Sequence, residues 1–497
     1  MPSTKMVRPS LKFLACLAAW SALLGLEYWV KMPTSFEWIT QSQRMATAEV
    51  MSRENQWIIC AFFLGYFLAF LWLPILRNRP DGPRARSREL LKPILYTLFV
   101  LIAAAHYWRW YDAAIHQTRA IVLISGLLAG QVVRFLLRAS KSGRASASAV
   151  DVALSSLLVF LVLTCLWQPE HALTFDYRDQ ARWTGLWKNP NRYGMLMGVG
   201  IVVAVSRLIW LFIGESASQT ASRPRALLAT GYLLAIGTMG YPLYQSFSRG
   251  SWLGTFLALA CLGILVWKRC ASDTERSRGS SEAGKGMTAR WIQAAKRWLN
   301  FGRRNSAPLL VIVCAVLTIF FWTFKHSEIR PVRRVLSVAN MNDFSWRNRV
   351  AAYEGALQMM AERPLVGVGW GQSGARYGGL YSQPRIVEPA AIGLNDFFST
   401  GVSFGIPALA ILAALIWLSV SGRAAAEALP RGPGARDRLG SRAALVVLLC
   451  GFWFDDGLFH LATGALFWIL LELSSRVSPD EVKVEAAEGS GSGGAVA

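Results

Sequence analysis

Long apolar runs recur along nearly the whole chain and limit the folds that it can adopt. Candidate membrane spans, each near the roughly 20 residues that cross a bilayer as a helix, lie at 12–30, 57–76, 91–107, 119–137, 149–167, 193–213, 226–245, 251–267, 308–324, 393–420, 443–459 and 461–474. A composition that is 53% hydrophobic and includes 21 Trp is more apolar than that of most soluble domains. The sequence therefore predicts an all-α, polytopic integral membrane protein with about twelve transmembrane helices. Its last two spans are also compatible with a single re-entrant hairpin.

The positive charge of the chain is distributed unevenly between loops. A net charge of +22 would suggest a nucleic-acid partner in a soluble protein. Here Lys and Arg concentrate in alternate loops, such as "RNRPDGPRARSRELLK" and "RASKSGR". The positive-inside rule places those loops, together with both termini, in the cytoplasm. We therefore expect membrane lipids and no nucleic acid as partners.

The predicted spans and loops divide the chain into five parts. Residues 1–170 contain the first five spans; 171–324 contain the next four, with a basic cytoplasmic loop at 268–307; 325–392 form a large external loop; 393–475 contain the last spans; and 476–497 are a low-complexity tail predicted to be disordered. In the large loop, "SWRNRVAAYEGALQMMAERP" predicts a helix that ends at Pro364. Loops of this length are usually functional or disordered, and a helix favours function.

Arg249 lies in "SFSRGSWLG", between two predicted spans, in a turn that contains no acidic residue. A charge without a partner is costly at this depth. The planar guanidinium matches phosphate oxygens in pairs, so Arg249 predicts a phosphate-bearing ligand. Other cations share the predicted external face, where local ion pairs are an equally good interpretation: Arg182, Lys188, Arg192, Arg347, Arg349, Arg376 and Arg385.

Three further motifs have both a structural and a chemical interpretation. "GLWKNPNRYG" predicts a turn that caps a helix, or an anion seat that includes Lys188. In "IGLNDFFSTG", Asn395 and Asp396 form either a helix cap or, through Asp396, a general base. The acid pair in "FWFDDGLFH" either complements the arginines or caps a hairpin, and we favour the cap.

Together these motifs are similar to those of a known family. "NPNRYG", "SRGSWLG", "WRNRVAAYEGALQMMAERPLVGVGWG" and "LNDFFSTGVSFGIPAL" occur in this order on one predicted side, and over roughly residues 180–470 they resemble the O-antigen ligase and polymerase superfamily of bacterial envelope proteins. The resemblance implies an inverting glycosyltransferase of the inner membrane that needs no metal or other cofactor. It implies transfer of a glycan from undecaprenyl diphosphate to a lipid- or glycan-linked acceptor at the periplasmic face. A chain-length regulator is a possible further partner.

The resemblance also assigns roles to individual residues. It implies that Arg249, and after it Arg347 or Arg349, binds the diphosphate. From the charge pattern, Lys188 and Arg182 are further candidates for that role. From the residues themselves, Asp396, with Asn395 beside it, and Glu354 are the candidates for handling the proton of the acceptor.

The chain departs from the family at Leu394, where ligases usually carry a His immediately before the Asn. Glu354, Asp396 or Glu388 is then an alternative base, and nothing in the sequence brings a remote His to this motif. A catalytically inactive assembly subunit, or a transporter of polysaccharide or of its lipid carrier, therefore remains an alternative. Because no GxxxxGK[ST] motif occurs, the chain is not itself predicted to be an ATP-driven pump.

Overall fold

The computed structural model describes residues 11–29, 61, 64–69, 71–72, 83–109, 113–139, 143–166, 174–177, 180–213, 222–276, 344–369, 372–377, 395–421 and 433–475. Among these residues it contains thirteen α-helices and one two-stranded hairpin. The helices are α1 (Leu11–Trp29), α2 (Pro83–Arg109), α3 (Ala113–Ala139), α4 (Gly143–Leu166), α5 (Pro190–Ile213), α6 (Ser222–Gln245), α7 (Arg249–Arg276), α8 (Phe344–Glu362), α9 (Ser373–Arg376), α10 (Asp396–Phe404), α11 (Ile406–Val420), α12 (Pro433–Phe454) and α13 (Leu461–Ser474). The strands are β1 (Thr174–Tyr177) and β2 (Gln180–Trp183), paired antiparallel.

Most of the helices coincide with predicted apolar runs, and several extend beyond them at one end. Within the described ranges, three stretches are long and apolar enough to cross a membrane: Pro190–Leu211, Arg225–Gln245 and Arg249–Val266. Shorter apolar helices accompany them, including Leu90–His106 and Val150–Leu166. The described part of the chain is thus almost entirely helical, and its apolar helices are those expected of an integral membrane protein. The count of about twelve spans stays a prediction, because 308–324 and much of the loop 325–392 lie outside the described residues.

Two elements differ from the prediction. The hairpin β1–β2 was not expected in an all-α chain, and the span predicted at 393–420 is divided at Gly405 into α10 and α11. Gly405 has a φ of 89°, a conformation that suits glycine. The amide of Ile406 donates to the carbonyl of Pro364 at 2.7 Å, and the amide of Val368 donates to that of Val402 at 2.8 Å. The segment after α8 therefore fills the break and satisfies its backbone groups.

The core is built from helices that approach closely at small residues. Helices α7 and α12 meet where a Cβ on Gly254 would lie 2.9 Å from the carbonyl oxygen of Val447. Helices α3 and α13 meet in the same way, since a Cβ on Gly130 would lie 2.9 Å from the carbonyl oxygen of Trp468. Small residues at such positions allow close backbone packing between membrane helices, where dispersion replaces the hydrophobic effect.

Helices α5 and α12 run antiparallel, which defines two ends of the bundle. Gly451 packs against Met195 near the start of α5, and Gly440 packs against Ser206 near its end. The first turns of α5 and α7 and the last turn of α12 therefore lie together, at what we call the Arg249 end. The opposite end is called the Glu472 end.

A buried ion network closes the Glu472 end. The carboxylate of Glu472 lies 3.0 Å from Lys92 Nζ and 3.8 Å from Arg134 Nε, and it accepts a 2.7 Å hydrogen bond from the hydroxyl of Tyr96. Because Lys92 and Tyr96 lie on α2 and Arg134 lies on α3, the network ties both helices to α13. A buried charge is tolerated when it is paired and hydrogen-bonded in this way.

The close contact of α7 with α12 leads to a prediction. We expect Gly254→Ala to lower the melting temperature of the purified protein, because the new Cβ meets backbone that cannot rotate away; overpacking of this kind costs roughly 1–3 kcal/mol. Gly263→Ala on the same helix is the matched control, since nothing lies within 4 Å of its Cβ position. Equal melting temperatures for the two variants in detergent would contradict the packing.

Candidate functional site

The start of α5 is fixed by the Asn-Pro-Asn motif. The side-chain oxygen of Asn189 accepts hydrogen bonds from the amides of Asn191, at 2.8 Å, and Arg192, at 3.3 Å. Pro190 occupies the first helical position, which suits its fixed φ. The predicted capping role is therefore confirmed. The cap places the side chain of Arg192, which is only 1% exposed, in the first turn of α5.

Lys188 and Phe247 adopt positive φ values of 51° and 46°. They are the non-glycine residues in this conformation within the described ranges. Both belong to motifs at the Arg249 end, and strained backbone of this kind often marks functional sites. Lys188 is partly exposed beside the first turn of α5.

Arg182 ties the hairpin to two motifs. Its Nε donates to the carbonyl of Ser246 at 2.9 Å, and its Nη2 donates to Asn191 Oδ1 at 3.0 Å. Part of this guanidinium is therefore committed to holding β2 against the starts of α5 and α7. Arg182 thus positions the hairpin, in addition to the diphosphate binding predicted for it.

Arg249 is the first residue of α7 and is partly exposed. The hydroxyls of Ser248 and Ser251 lie 2.8 Å apart, and Ser251 Oγ donates to the carbonyl of Asn191 at 3.1 Å. These bonds join the first turns of α5 and α7. Arg249 also interacts with another part of the protein, so the sequence argument that no partner is available to it is wrong.

Helix α8 presents its two candidate arginines differently. Arg349 Nη2 donates to the carbonyl of Phe454 at 3.1 Å, and its guanidinium lies 5.8 Å from the centre of the Phe454 ring. Arg347 is exposed, as is the carboxyl-bearing Glu354. Arg349 is therefore the α8 cation that is brought against the end of α12.

Asn395 and Asp396 separate into two roles at the start of α10. Asn395 is the helix cap: its Oδ1 accepts from the amides of Phe397 and Phe398 at 2.9 and 3.1 Å. Asp396 is fully buried, and its Oδ2 accepts a 2.8 Å hydrogen bond from the amide of Leu458. Asp396, in the "LNDFFSTG" motif, thus holds the turn that joins α12 to α13. A proton-accepting role for Asp396 stays a prediction, and Leu394 and Glu388 lie outside the described residues.

That turn, residues 455–460, contains functional candidates to which the sequence interpretation gave no catalytic role. Asp455, Asp456 and His460 are each 5% exposed or less. His460 Nε2 lies 3.2 Å from Asp456 Oδ2. Asp456 occupies a helix-cap position but makes no side-chain capping bond, so the favoured interpretation of the acid pair as a cap is not met by this residue. A remote His therefore lies in the turn that Asp396 holds, since His460 follows by two positions Leu458, whose amide donates to Asp396.

Arg192 and Arg349 act electrostatically on Asp455, which lies just beyond the end of α12. Burial, and next the neighbouring Asp456, raise the pKa of Asp455 to about 6, against the opposing effect of Arg192, His460 and Arg349. Asp455 Oδ2 accepts no hydrogen bond from the residues that the structure describes. A carboxyl with a pKa near neutrality is poised to gain or lose a proton, as a general acid or base must be.

The surroundings of this turn are aromatic. The Tyr353 ring lies 5.1 Å from that of Phe398, and its hydroxyl donates to the carbonyl of Trp453 at 3.0 Å. Burial raises the pKa of Tyr353, so its phenol stays protonated.

Over the described part of the chain, no group of three or more His, Cys, Asp or Glu is arranged to hold a metal ion.

The raised pKa of Asp455 predicts a pH-dependent effect on stability. The folded protein holds this proton up to about pH 6, whereas an unfolded chain releases it near pH 4. The stabilising contribution of the protonated carboxyl is therefore present at low pH and is lost as the pH rises through about 6. We expect Asp455→Asn to gain several degrees in melting temperature over the wild type at pH 8, and less at pH 5.

The control for this measurement is Glu362→Gln, which removes an exposed carboxyl from α8. Its difference from the wild type is expected to be similar at both pH values. An Asp455→Asn gain that is equal at pH 5 and pH 8, or larger at pH 5, would contradict the assignment.

A family model matches part of the chain. No curated protein matches the chain. A family model described as O-antigen ligase matches residues 234–413. This segment contains Arg249, Arg347, Arg349, Glu354, Asn395 and Asp396, whereas Arg192 and the turn 455–460 lie outside it. The resemblance to the O-antigen ligase and polymerase superfamily is therefore confirmed, and residues 234–413 are the part of the chain that carries the family's pattern.

Proposed function

We propose that this protein transfers a glycan from a polyprenyl diphosphate carrier to a sugar hydroxyl at the Arg249 end of the bundle. A membrane role in glycan ligation or polymerisation on lipid-linked substrates follows from the O-antigen ligase match. The finer proposal is supported by one observation. The buried turn with Asp455, Asp456 and His460 is bonded to the family's motif through Asp396, and Arg192 and Arg349 act electrostatically on it. The positive-inside rule puts this end in the periplasm of a bacterial inner membrane.

The cations of the Arg249 end are proposed to hold the carrier diphosphate. Arg192 lies in the first turn of α5 and Arg249 in the first turn of α7, and the Ser251–Asn191 bond joins these two turns. Helix N-termini carry partial positive charge and backbone donors that favour phosphate. The exposed Arg347 and the partly exposed Lys188 are proposed to contact the headgroup of a carrier that arrives from the membrane.

Asp455 is proposed to accept the proton of the acceptor hydroxyl. Its pKa of about 6 leaves it ionised at neutral pH while still basic enough to take a proton. The His460–Asp456 pair stands next to it and can receive that proton in turn. Asp396 positions the turn through its bond to the Leu458 amide.

The proposed step balances in one displacement. The acceptor oxygen attacks the anomeric carbon, and its proton passes to Asp455. The bond between that carbon and the diphosphate oxygen breaks, and the leaving polyprenyl diphosphate keeps the electron pair. Preorganised guanidinium groups stabilise the charge that develops on it. Attack on the face opposite the leaving group inverts the anomeric configuration.

The alternatives are an inactive assembly subunit and a transporter. The inactive subunit was suggested by Leu394, and the buried Asp–Asp–His turn offers the proton-accepting groups that this position lacks. Transporters use helices broken near the midplane to bind substrate. The break at Gly405, however, is already occupied by hydrogen bonds from the segment after α8.

The proposal for the cations is tested in cells. In a strain that lacks the endogenous gene, we expect Arg249→Ala and Arg347→Ala to abolish polymeric surface glycan, because the diphosphate loses charge-assisted bonds. Arg363→Ala, at an exposed arginine just after α8, is the matched control and should retain the glycan. Carrier-linked glycan should accumulate in the outer leaflet of the membrane.

Normal glycan in both variants, at wild-type protein levels, would contradict the role of the cations. Accumulation in the cytoplasmic leaflet would instead indicate a transporter.

The proposal for the proton acceptor is tested with purified protein and a carrier-linked glycan. We expect Asp455→Asn to lower kcat about 100-fold or more, with a much smaller change in KM. The wild-type kcat should rise with pH through an apparent pKa near 6, and His460→Gln should shift that profile. An Asp455→Asn variant with wild-type kcat would rule this residue out and leave Asp396 and Glu354 as candidates.

A further inference from the structure

A second charged site lies at the Glu472 end, away from the proposed chemistry. A cavity of about 270 Å³ opens between α4, α5, α6 and α12. Its charged lining is Asp151 on α4, Arg207 on α5, Arg225 on α6 and Asp437 on α12. Neither the O-antigen ligase resemblance nor the proposed transfer reaction uses these residues.

The two arginines of the cavity differ in their ion pairing. Arg207 forms an ion pair with Asp151 through Nη1, and another with Asp437 Oδ1 through Nη2 at 3.1 Å. Arg225 forms no ion pair with any residue in the described ranges. The cavity therefore has one wall with a cation that forms no ion pair in the described ranges, and opposite walls with two acids that both pair with Arg207.

This separation of charge suits a zwitterion. A phosphate would meet the guanidinium of Arg225, where charge-assisted bonds are strong. A primary ammonium would meet Asp151, whose side chain is 56% exposed in spite of its ion pair. An anionic headgroup without the ammonium would gain the first contact and be repelled by the acids.

The position of the cavity indicates a membrane lipid as the source of that headgroup. Helix α6 is the least covered of the candidate spans, since only 17% of its apolar window is buried. Leu228 lines the cavity and is itself 51% exposed, so the cavity opens on the lipid-facing side of α6. Arg225 belongs to the first turn of this helix, a level that corresponds to lipid headgroups for a spanning helix.

We propose that this cavity binds the headgroup of a phosphoethanolamine lipid, with the phosphate on Arg225 and the ammonium on Asp151. Bound there, the lipid bridges α6 to α4 and α12 at the end of the bundle opposite the transfer site. The proposal is independent of the glycosyl transfer reaction.

The test is native mass spectrometry of the full-length protein, delipidated in mild detergent and titrated with phosphatidylethanolamine, phosphatidylcholine or phosphatidylglycerol. We expect retention of phosphatidylethanolamine in preference to the other two. Arg225→Gln should weaken that retention about tenfold, and Asp151→Asn should reduce the preference over phosphatidylglycerol. Lys12→Gln removes an exposed cation from the start of α1 and, as the matched control, should change neither.

Three results would overturn the proposal. One is equal retention of phosphatidylethanolamine by Arg225→Gln and by the wild type. Another is equal retention of all three lipids by the wild type. The third is displacement of the lipid by an equal concentration of soluble glycerophosphoethanolamine, which would assign the cavity to a free solute.

Discussion

The structure depends most on the compensation of charged side chains that are buried at the Arg249 end. Asp455, Asp456 and His460 are buried there together with Arg192. Burying an isolated charge is prohibitively costly, so such groups must compensate one another. Asp455 with Asp456 would repel, and Arg192, Arg349 and His460 offset that repulsion. This mutual dependence couples the ends of helices that are far apart in sequence.

The surrounding packing serves to hold that cluster. Gly254 and Gly451 allow α7 and α5 to pack closely against α12. This packing sets how far the helices are shifted along their axes, and so it brings the first turn of α5, with Arg192, level with Asp455. The Asp396–Leu458 bond then aligns α10 with the turn, and the segment after α8 locks into the break at Gly405. Motifs that look unrelated in sequence are therefore parts of one assembly, as a preorganised site requires.

Much of the fold could be predicted from the sequence because lipid imposes a simple pattern. Apolar runs of the right length marked most helices, although α2, α3, α4, α7 and α12 each extend six to ten residues beyond one end of the predicted run. Asn189 was recognisable as a cap from local chemistry. The break at Gly405 was not predictable, since it depends on hydrogen bonds from a distant segment. The strands β1 and β2 were missed because two strands of four residues leave little periodicity.

The candidate site was predicted less completely. The family motifs pointed to Arg249, Arg349 and Asp396, and these do lie at one end of the bundle. Asp455 and His460 were passed over because two acids at a helix end also fit a cap. The proximity of Asp455 to Arg192 depends on the antiparallel packing of α5 with α12, which no local pattern encodes. An acid followed by a His four positions later, as in Asp456 and His460, was the one signal in the sequence.

The most direct test of this account is glycan transfer by the full-length protein reconstituted in liposomes with a polyprenyl diphosphate-linked oligosaccharide. The account predicts that the protein alone releases polyprenyl diphosphate and forms a new glycosidic bond of inverted anomeric configuration, in equal amounts. Retention of configuration would contradict the single displacement. Binding of the carrier without any transfer by the folded wild-type protein would contradict the proposed function itself.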